Sequence, residues 1–466
     1  MRGFTHYISG LAAATFFPAL VADIRMGTLA AVIAAASAYF PDFVDFKFGK
    51  FFARRDYEID PAPWDEKKHY APKLVKIKDL SEKNRYQFFA IEGRVEEILT
   101  KGSGTMSYEV FDEKGNVKTV TEEYNTIVFI LNDGTGKITV EAFGDDYKIF
   151  EEEFGQIEEG KEMLVFGYVD VDPDGSLRFV VSDAPHPQGI ADIIAEAIEK
   201  AYEEGEKIVK IHNIRLPGDV YRQFWIHLDP PKREVRVEMG PIVTPGGVAI
   251  GGEPPEYRKY GIARVNVPFI KTYPKPTRID SFSGPEIAFR LTKHQGKTVV
   301  KDRFLPWHHG FSHSMTMGVI IGAVVFLLAK LFGYSHATDL ALASMIGQWL
   351  HVFEDQLGFM GSNLFPPITK DVIPGFKLGE SGSGLTNFST AWLMIALMIW
   401  NFNRFTDPRP IPISDARLLL YLIWPSIIGF GIAIVRSIRL RKELAKLMDY
   451  YTNLEAFEEL EEVGGI

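Results

Sequence analysis

Apolar runs long enough for lipid stand near both ends of this chain, and a charged stretch from Lys47 to about Arg303 separates them. On the N-terminal side, "HYISGLAAATFFPALVADI" and the 14-residue run Gly27–Phe40 are divided only by Arg25 and Met26. Four more runs follow the charged stretch: Met315–Phe332, Ala337–Phe353, Phe388–Phe402 and Leu418–Val435. Crossing ~30 Å of hydrocarbon takes ~20 apolar residues, so the first run suffices and the second is short. A cleavable signal fits the first run poorly, because another apolar run follows at once. The pattern predicts a polytopic α-helical membrane domain of about six spans, interrupted by a large soluble insert.

If those spans alternate, fourteen Lys and Arg flank one side of the membrane and five the other. The basic side is the cytoplasmic one, which predicts a multi-pass protein of the cell membrane with the insert and both chain ends in the cytoplasm. The basic run Arg436–Lys442 suits either that orientation signal or contact with anionic headgroups.

The chain divides into two first membrane helices (1–46), a linker (47–84), a strand-rich domain (85–185), an amphipathic helix followed by a β-rich region (186–303), four membrane helices (304–436) and a charged helical tail (437–466). Residues 85–185 alternate apolar and polar positions between the turn signals "KGSG", "NDGTG" and "DPDGS". Their layout of strand, long hairpin, "LNDGTG" turn, helix and two strands resembles the OB-fold β-barrel of replication protein A and of tRNA synthetase anticodon-binding domains.

Cysteine is absent, so any metal must be held by His, Asp or Glu. Those residues gather at the span ends. His6 precedes the first span, and Asp42 and Asp45 follow the second in "FPDFVD". His308, His309 and His313 precede the third, and His351 and Asp355 end the fourth. In an alternating arrangement all of these share the cytoplasmic face, although chance would scatter them over both. His351 and Asp355 are four apart, as are His309 and His313, so each pair shares one face of a helix. Imidazole and carboxylate are ligands that zinc or manganese takes when thiolates are missing. Ionisable groups at a membrane edge are costly without a counter-charge, and a divalent cation supplies one.

Four pieces in order, "THYISG" (5–10), "FPDFVD" (40–45), "HHGFSHS" (308–314) and "HVFEDQLGFMGSNLFP" (351–366), resemble the LexA-binding, inner-membrane-associated family of metal-dependent hydrolases, the YdjM-like family. The likeness covers about 1–45 and 304–436 and leaves out the insert. Two departures are visible: the family's Pro-Asp-x-Asp becomes Pro-Asp-Phe-Val-Asp here, and its His-Arg-Gly becomes His308-His309-Gly310. The resemblance therefore supports His308 and His313 better than His309. It implies a divalent ion held by His6, Asp42, His313, His351 and Asp355, with Asp45 or His308 as general base or further ligand. The resemblance implies hydrolysis, and the position of these residues at the membrane edge suits a membrane-bound substrate such as a phospholipid or a lipid-linked phosphoester.

Two other readings compete. The OB-like layout suggests nucleic-acid binding or nuclease function, with Phe129, Phe143, Phe166 and Tyr168 as stacking platforms. The charge opposes it: residues 85–185 carry nine Lys and Arg against 22 Asp and Glu, a net of −13, where single-strand binders offer a positive groove. The whole chain is acidic too, at −10. Otherwise the barrel docks a protein partner, or the metal site is structural and the protein is a membrane scaffold or regulator.

Overall fold

The structure is a computed structural model, and it describes residues 3–48, 55–64, 72–111, 117–245, 247–280, 286–305, 310–358, 361–369, 373, 375–376, 378 and 383–452. The chain divides into two compact units, one made of 1–53 with 306–446 and the other of 54–305 with 447–466.

The first unit begins with α1 (Gly3–Thr15), α2 (Pro18–Arg25) and α3 (Ala30–Phe48). The second unit then opens on β1 (Tyr57–Ile59), inside the stretch read as a linker. After it come β2 (Phe88–Phe111), β3 (Val117–Asn132), β4 (Lys137–Phe143), α4 (Gly144–Phe154), β5 (Glu162–Val171) and β6 (Leu177–Val181). Strands β2 to β6 close into a barrel in the order β2-β3-β4-β6-β5, with β4 and β6 parallel. Five strands in this order, with a helix between the third and fourth, fit an OB-like fold. Closure follows from alternation: Ile91, Val95, Ile127, Phe129, Leu131, Val140, Val165 and Phe179 all point inward. Register shifts at Val95/Glu97 and Ile98/Thr100 bend the long β2 around the barrel. Gly167 faces the carbonyl of Val180 so closely that a Cβ would lie 2.1 Å from that oxygen, so only glycine fits this crossing.

Next come α5 (Pro187–Glu204), β7 (Lys207–Ile211), β8 (Ile214–Leu216), β9 (Val220–Asp229), β10 (Glu234–Val243), β11 (Ala249–Gly251) and β12 (Tyr260–Arg264). Strands β13 (Phe269–Ile270), β14 (Thr277–Ile279), β15 (Glu286–His294) and β16 (Lys297–Leu305) complete the unit. They build a five-stranded sheet, β1-β7-β15-β16-β13, and a six-stranded one along β11-β10-β9-β14 with β12 and β8 attached. The apolar stripe of α5, with Ile190, Ile194, Ala197, Ile198 and Ala201, shares one core with Val209, Phe224, Val237 and Phe289 from the sheets.

The four rings expected to stack on bases are packed inside this unit. Phe129 is fully buried in the barrel core. Phe143 and Tyr168 lie in a cluster that Tyr257 joins from the β-rich part, and Phe166 packs on the α5 core. Ion pairs tie the same two parts together: a buried one, Arg258 on Asp146 at 2.8 Å, and one between buried Arg222 and the exposed Asp183.

The first unit resumes with α6 (Met315–Leu331), α7 (Ala337–Gln356), α8 (Gly384–Phe405) and α9 (Asp415–Thr452). The expected six-span domain is not what these helices form. Among the described residues only α8 and the Asp415–Arg439 part of α9 are long and apolar enough to cross a membrane, or three spans if α1 and α2 count as one broken span. The physical reasons are local. The first apolar run bends by 108° ahead of Pro18, so it is not one rod. The second continues into a 19-residue helix, α3, that also holds Pro41, Asp42 and Asp45. The third is a 17-residue helix, and the fourth spends its last turns on His351, Glu354 and Asp355.

Candidate metal centre

Small residues bring α1, α3 and α7 into contact. A Cβ on Gly10 would sit 2.6 Å from the Ala34 carbonyl oxygen, and one on Gly347 would sit 3.2 Å from the Cα of Gly10. Backbones that approach this closely align the side chains one turn away from the crossing. His6 lies one turn before Gly10, His351 one turn after Gly347, and Asp42 one turn after Ala38, which also lines the crossing. The three converge on one buried point together with His313 from the short turn before α6, and all three imidazoles are fully buried.

Each ring has one nitrogen fixed from outside. The His351 Nδ1–H donates to the Ala38 carbonyl at 2.7 Å, which leaves Nε2 with its lone pair. His6 Nδ1 lies 2.8 Å from Glu354 Oε2, and the Ser9 hydroxyl donates to the other oxygen of that carboxylate. His313 Nδ1 lies 3.1 Å from Asp45 Oδ2 and 3.0 Å from the Ser312 hydroxyl, which itself donates to Asp45. Gln348 steadies that turn by donating to the Ser312 carbonyl at 2.9 Å.

The three Nε2 atoms face inward. His351 Nε2 is 3.2 Å from Asp355 Oδ2 and 3.5 Å from Asp42 Oδ1. His313 Nε2 is 3.3 Å from Asp42 Oδ1 and 3.7 Å from Asp355 Oδ2. His6 Nε2 is 3.5 Å from Asp355 Oδ1. Neither His6 Nε2 nor His351 Nε2 makes a hydrogen bond with any described group. Donor atoms of His6, His351 and Asp355 lie within 4.8 Å of one another, and so do those of Asp42, His313 and His351. Buried imidazoles held at Nδ1 by a carboxylate or carbonyl, with Nε2 atoms directed at shared carboxylates, are the arrangement in which a divalent ion is held. The residues present therefore fit such an ion.

Of the residues singled out in the sequence, the fold brings together His6, Asp42, Asp45, His313, His351 and Asp355. His308 and His309 lie outside the described residues. Asp45 faces the Nδ1 side of His313, away from the convergence point. Sequence reasoning missed Glu354 and Ser9. Their signal is helical spacing: Glu354 is three residues after His351 and Ser9 three after His6, which puts both on the site-facing side. The Thr5 hydroxyl, also overlooked, donates to Asn387 at 3.0 Å and ties α1 to α8.

Because Glu354 orients His6 from outside, Glu354→Ala is expected to weaken binding of a divalent ion by roughly 10- to 100-fold, a usual range for lost outer partners of a histidine ligand. Glu354→Gln, which still accepts from Nδ1–H, should lose less. Competition against a zinc-responsive dye measures both, and equal affinity in all three proteins would remove Glu354 from the site.

No curated protein matches this chain. Among solved structures it is similar to the second OB-fold domain of replication protein A from Methanococcus maripaludis, at 19% identity over 23% of this chain and 89% of that one, with a TM-score of 0.15. An OB domain from Thermoplasma acidophilum is similar at 18% identity over 24% of this chain and 80% of that one, also at 0.15. Residues 279–435, which carry His313, His351, Glu354 and Asp355, all of α8 and most of the apolar part of α9, match the family model of the YdjM inner membrane protein.

Proposed function

We propose that this protein is a membrane-bound, metal-dependent hydrolase acting on a phosphoester of a membrane-borne substrate. The observation that carries this reading is the set of three buried imidazoles with Nδ1 fixed and Nε2 directed at Asp42 and Asp355. His6, Asp42, His313, His351 and Asp355 would hold zinc or manganese. Such an ion, when bound, would supply Lewis acidity toward a phosphoryl oxygen and a water of lowered pKa. The chain's own residues do the rest. Glu354, Ala38 and Asp45 hold the rings in one tautomer and orientation, so that the donor set does not reorganise as charge develops. Asp45, on the outer side of His313, acts as an orienting group that holds Nδ1 of that ring.

Two apolar helices in the same unit support a membrane-borne substrate. The end of the apolar part of α9 is followed by Arg436, Arg439, Arg441 and Lys442, a basic run that supports a cytoplasmic position for that end. Glu354, beside the cluster, lines a groove with Phe430 and Ile434 near that basic run, which supports a site on the same side.

The test is hydrolysis by metal-loaded protein in lipid nanodiscs. Phosphatidic acid and phosphatidylglycerol are offered as substrates, and release of inorganic phosphate or of a soluble phosphoester is followed. Turnover that falls at least 100-fold in Asp42→Asn is expected. Metal-loaded protein that releases neither product from any phospholipid or lipid-linked phosphoester would overturn the reading.

A further inference from the structure

Beside the cluster, a groove of about 300 Å³ runs between α7, α8 and α9. Leu350 and Phe353 of α7, Leu393 and Met394 of α8, and Phe430 and Ile434 of α9 form its walls. Glu354 lines it as well, but its carboxylate is turned to His6 and Ser9, so only its methylene stem meets the groove. One side chain thus separates an apolar groove from a ligand histidine. The walls include both helices that are apolar and long enough for a membrane, and Phe353 and Ile434 beside the opening are exposed apolar residues.

We infer that this groove seats one hydrocarbon tail of a membrane phospholipid, with the tail's head end directed to the His–Asp cluster. The inference deepens the hydrolase reading for the head group and stands apart from it for the tail. Three observations select the occupant. The surface exposed in the groove is apolar, with the Thr386 and Thr390 hydroxyls turned into the protein and the latter donating to the Thr386 carbonyl, which favours a hydrocarbon over a polar ligand. A helix with side chains is about 10–12 Å across, too thick for a groove of this volume, whereas a single flexible chain enters it. Continuity with Glu354 and His6 places the start of that chain next to groups suited to a phosphoester. A tail held there would fix the scissile bond over the cluster and would favour lipid over water-soluble phosphoesters.

The full-length protein, reconstituted in nanodiscs containing phosphatidylglycerol with a diazirine at the end of one acyl chain, provides the test. Irradiation followed by peptide mapping is expected to label α7, α8 and α9 at the groove. Leu393→Trp, which fills it, should lower this labelling at least five-fold. Leu420→Trp, on an exposed face of α9, should leave it unchanged. Retained metal binding shows that each variant is folded. Should Leu393→Trp fail that check, Leu393→Ala replaces it, and the widened groove should raise labelling at least two-fold. Labelling spread evenly over exposed positions such as Leu327 and Leu331 of α6, and insensitive to Leu393, would overturn the seat. Groove labelling in a protein that hydrolyses nothing keeps the seat and sinks only the hydrolase reading. Hydrolysis without groove labelling does the reverse.

Discussion

Detergent-purified protein is expected to carry stoichiometric zinc or manganese, and the double variant His313→Ala/His351→Ala is expected to retain less than a tenth of it. The expectation follows from what the two rings contribute. Their Nε2 atoms both lie within 3.5 Å of Asp42 Oδ1, at 3.3 and 3.5 Å. Truncating both removes two of three imidazoles from the convergence point and leaves the carboxylates of Asp42 and Asp355 buried beside fewer donors. Buried carboxylates without a counter-charge are strongly unfavourable, so residual binding through His6 alone would be weak. Elemental mass spectrometry reads the metal content directly. Thermal unfolding gives an independent measure: a ligand that binds only the folded state stabilises it by about 4 kcal/mol when present at a thousand times its Kd. Added zinc should therefore raise the melting temperature of the wild type and leave that of the variant unmoved. A folded wild type that stays metal-free after metal is offered would remove the basis of the proposed chemistry.

The second large effect is predicted in the β-rich unit, far in sequence from the His–Asp cluster. His186 caps the N-terminus of α5, where its Nδ1 accepts the Gln188 N–H at 3.1 Å, and its ring sits against Tyr86 and Tyr168. Burial pushes its pKa down to about 4 from an ordinary 6.5, with Asp170 opposing and Arg258 assisting. The folded state thus holds a neutral ring that the unfolded chain protonates below 6.5. Stability is present in full above pH 6.5 and is lost as the pH falls toward 4, by about 3 kcal/mol in total.

Asp146 works in the opposite sense. Burial, resisted by Arg258 and aided by Asp183, pushes its pKa up to about 6, so the cost of its charge recedes on acidification. Comparing wild type with His186→Asn cancels that contribution. Asparagine keeps a capping oxygen but does not titrate. Hydrogen exchange of α5 amides in the full chain should show the wild type losing about 3 kcal/mol more protection than the variant between pH 7 and pH 4. Equal losses in the two proteins would show that His186 is not the acid-sensitive group.

Spacing in the chain specified a good deal of this. The "LNDGTG" turn between alternating runs announces the β3–β4 hairpin, because Asp133 accepts the Thr135 and Gly136 N–H groups locally, whatever the rest of the fold does. The apolar stripe at 190, 194, 197, 198 and 201 likewise fixes which face of α5 is buried. His351 with Asp355 was visible as a helical i,i+4 pair for the same reason: the relation is set within one turn. Local geometry of this kind is written in sequence.

Span number was not. Hydropathy counts apolar residues but does not record whether they face lipid or another helix, and Gly10, Ala34 and Gly347 spend theirs on helix–helix contact. The roles of Glu354 and Asp45 were equally out of reach. Both are ionisable residues beside a ligand in the chain or in space, and only the folded positions show that each addresses the Nδ1 edge of a ring rather than the point where the Nε2 atoms meet. Sequence alone determined the residue types of the centre and the short-range order of the strands and helices. The tertiary structure decided which donors converge, because the crossing of α1, α3 and α7 depends on backbone contacts between residues hundreds of positions apart.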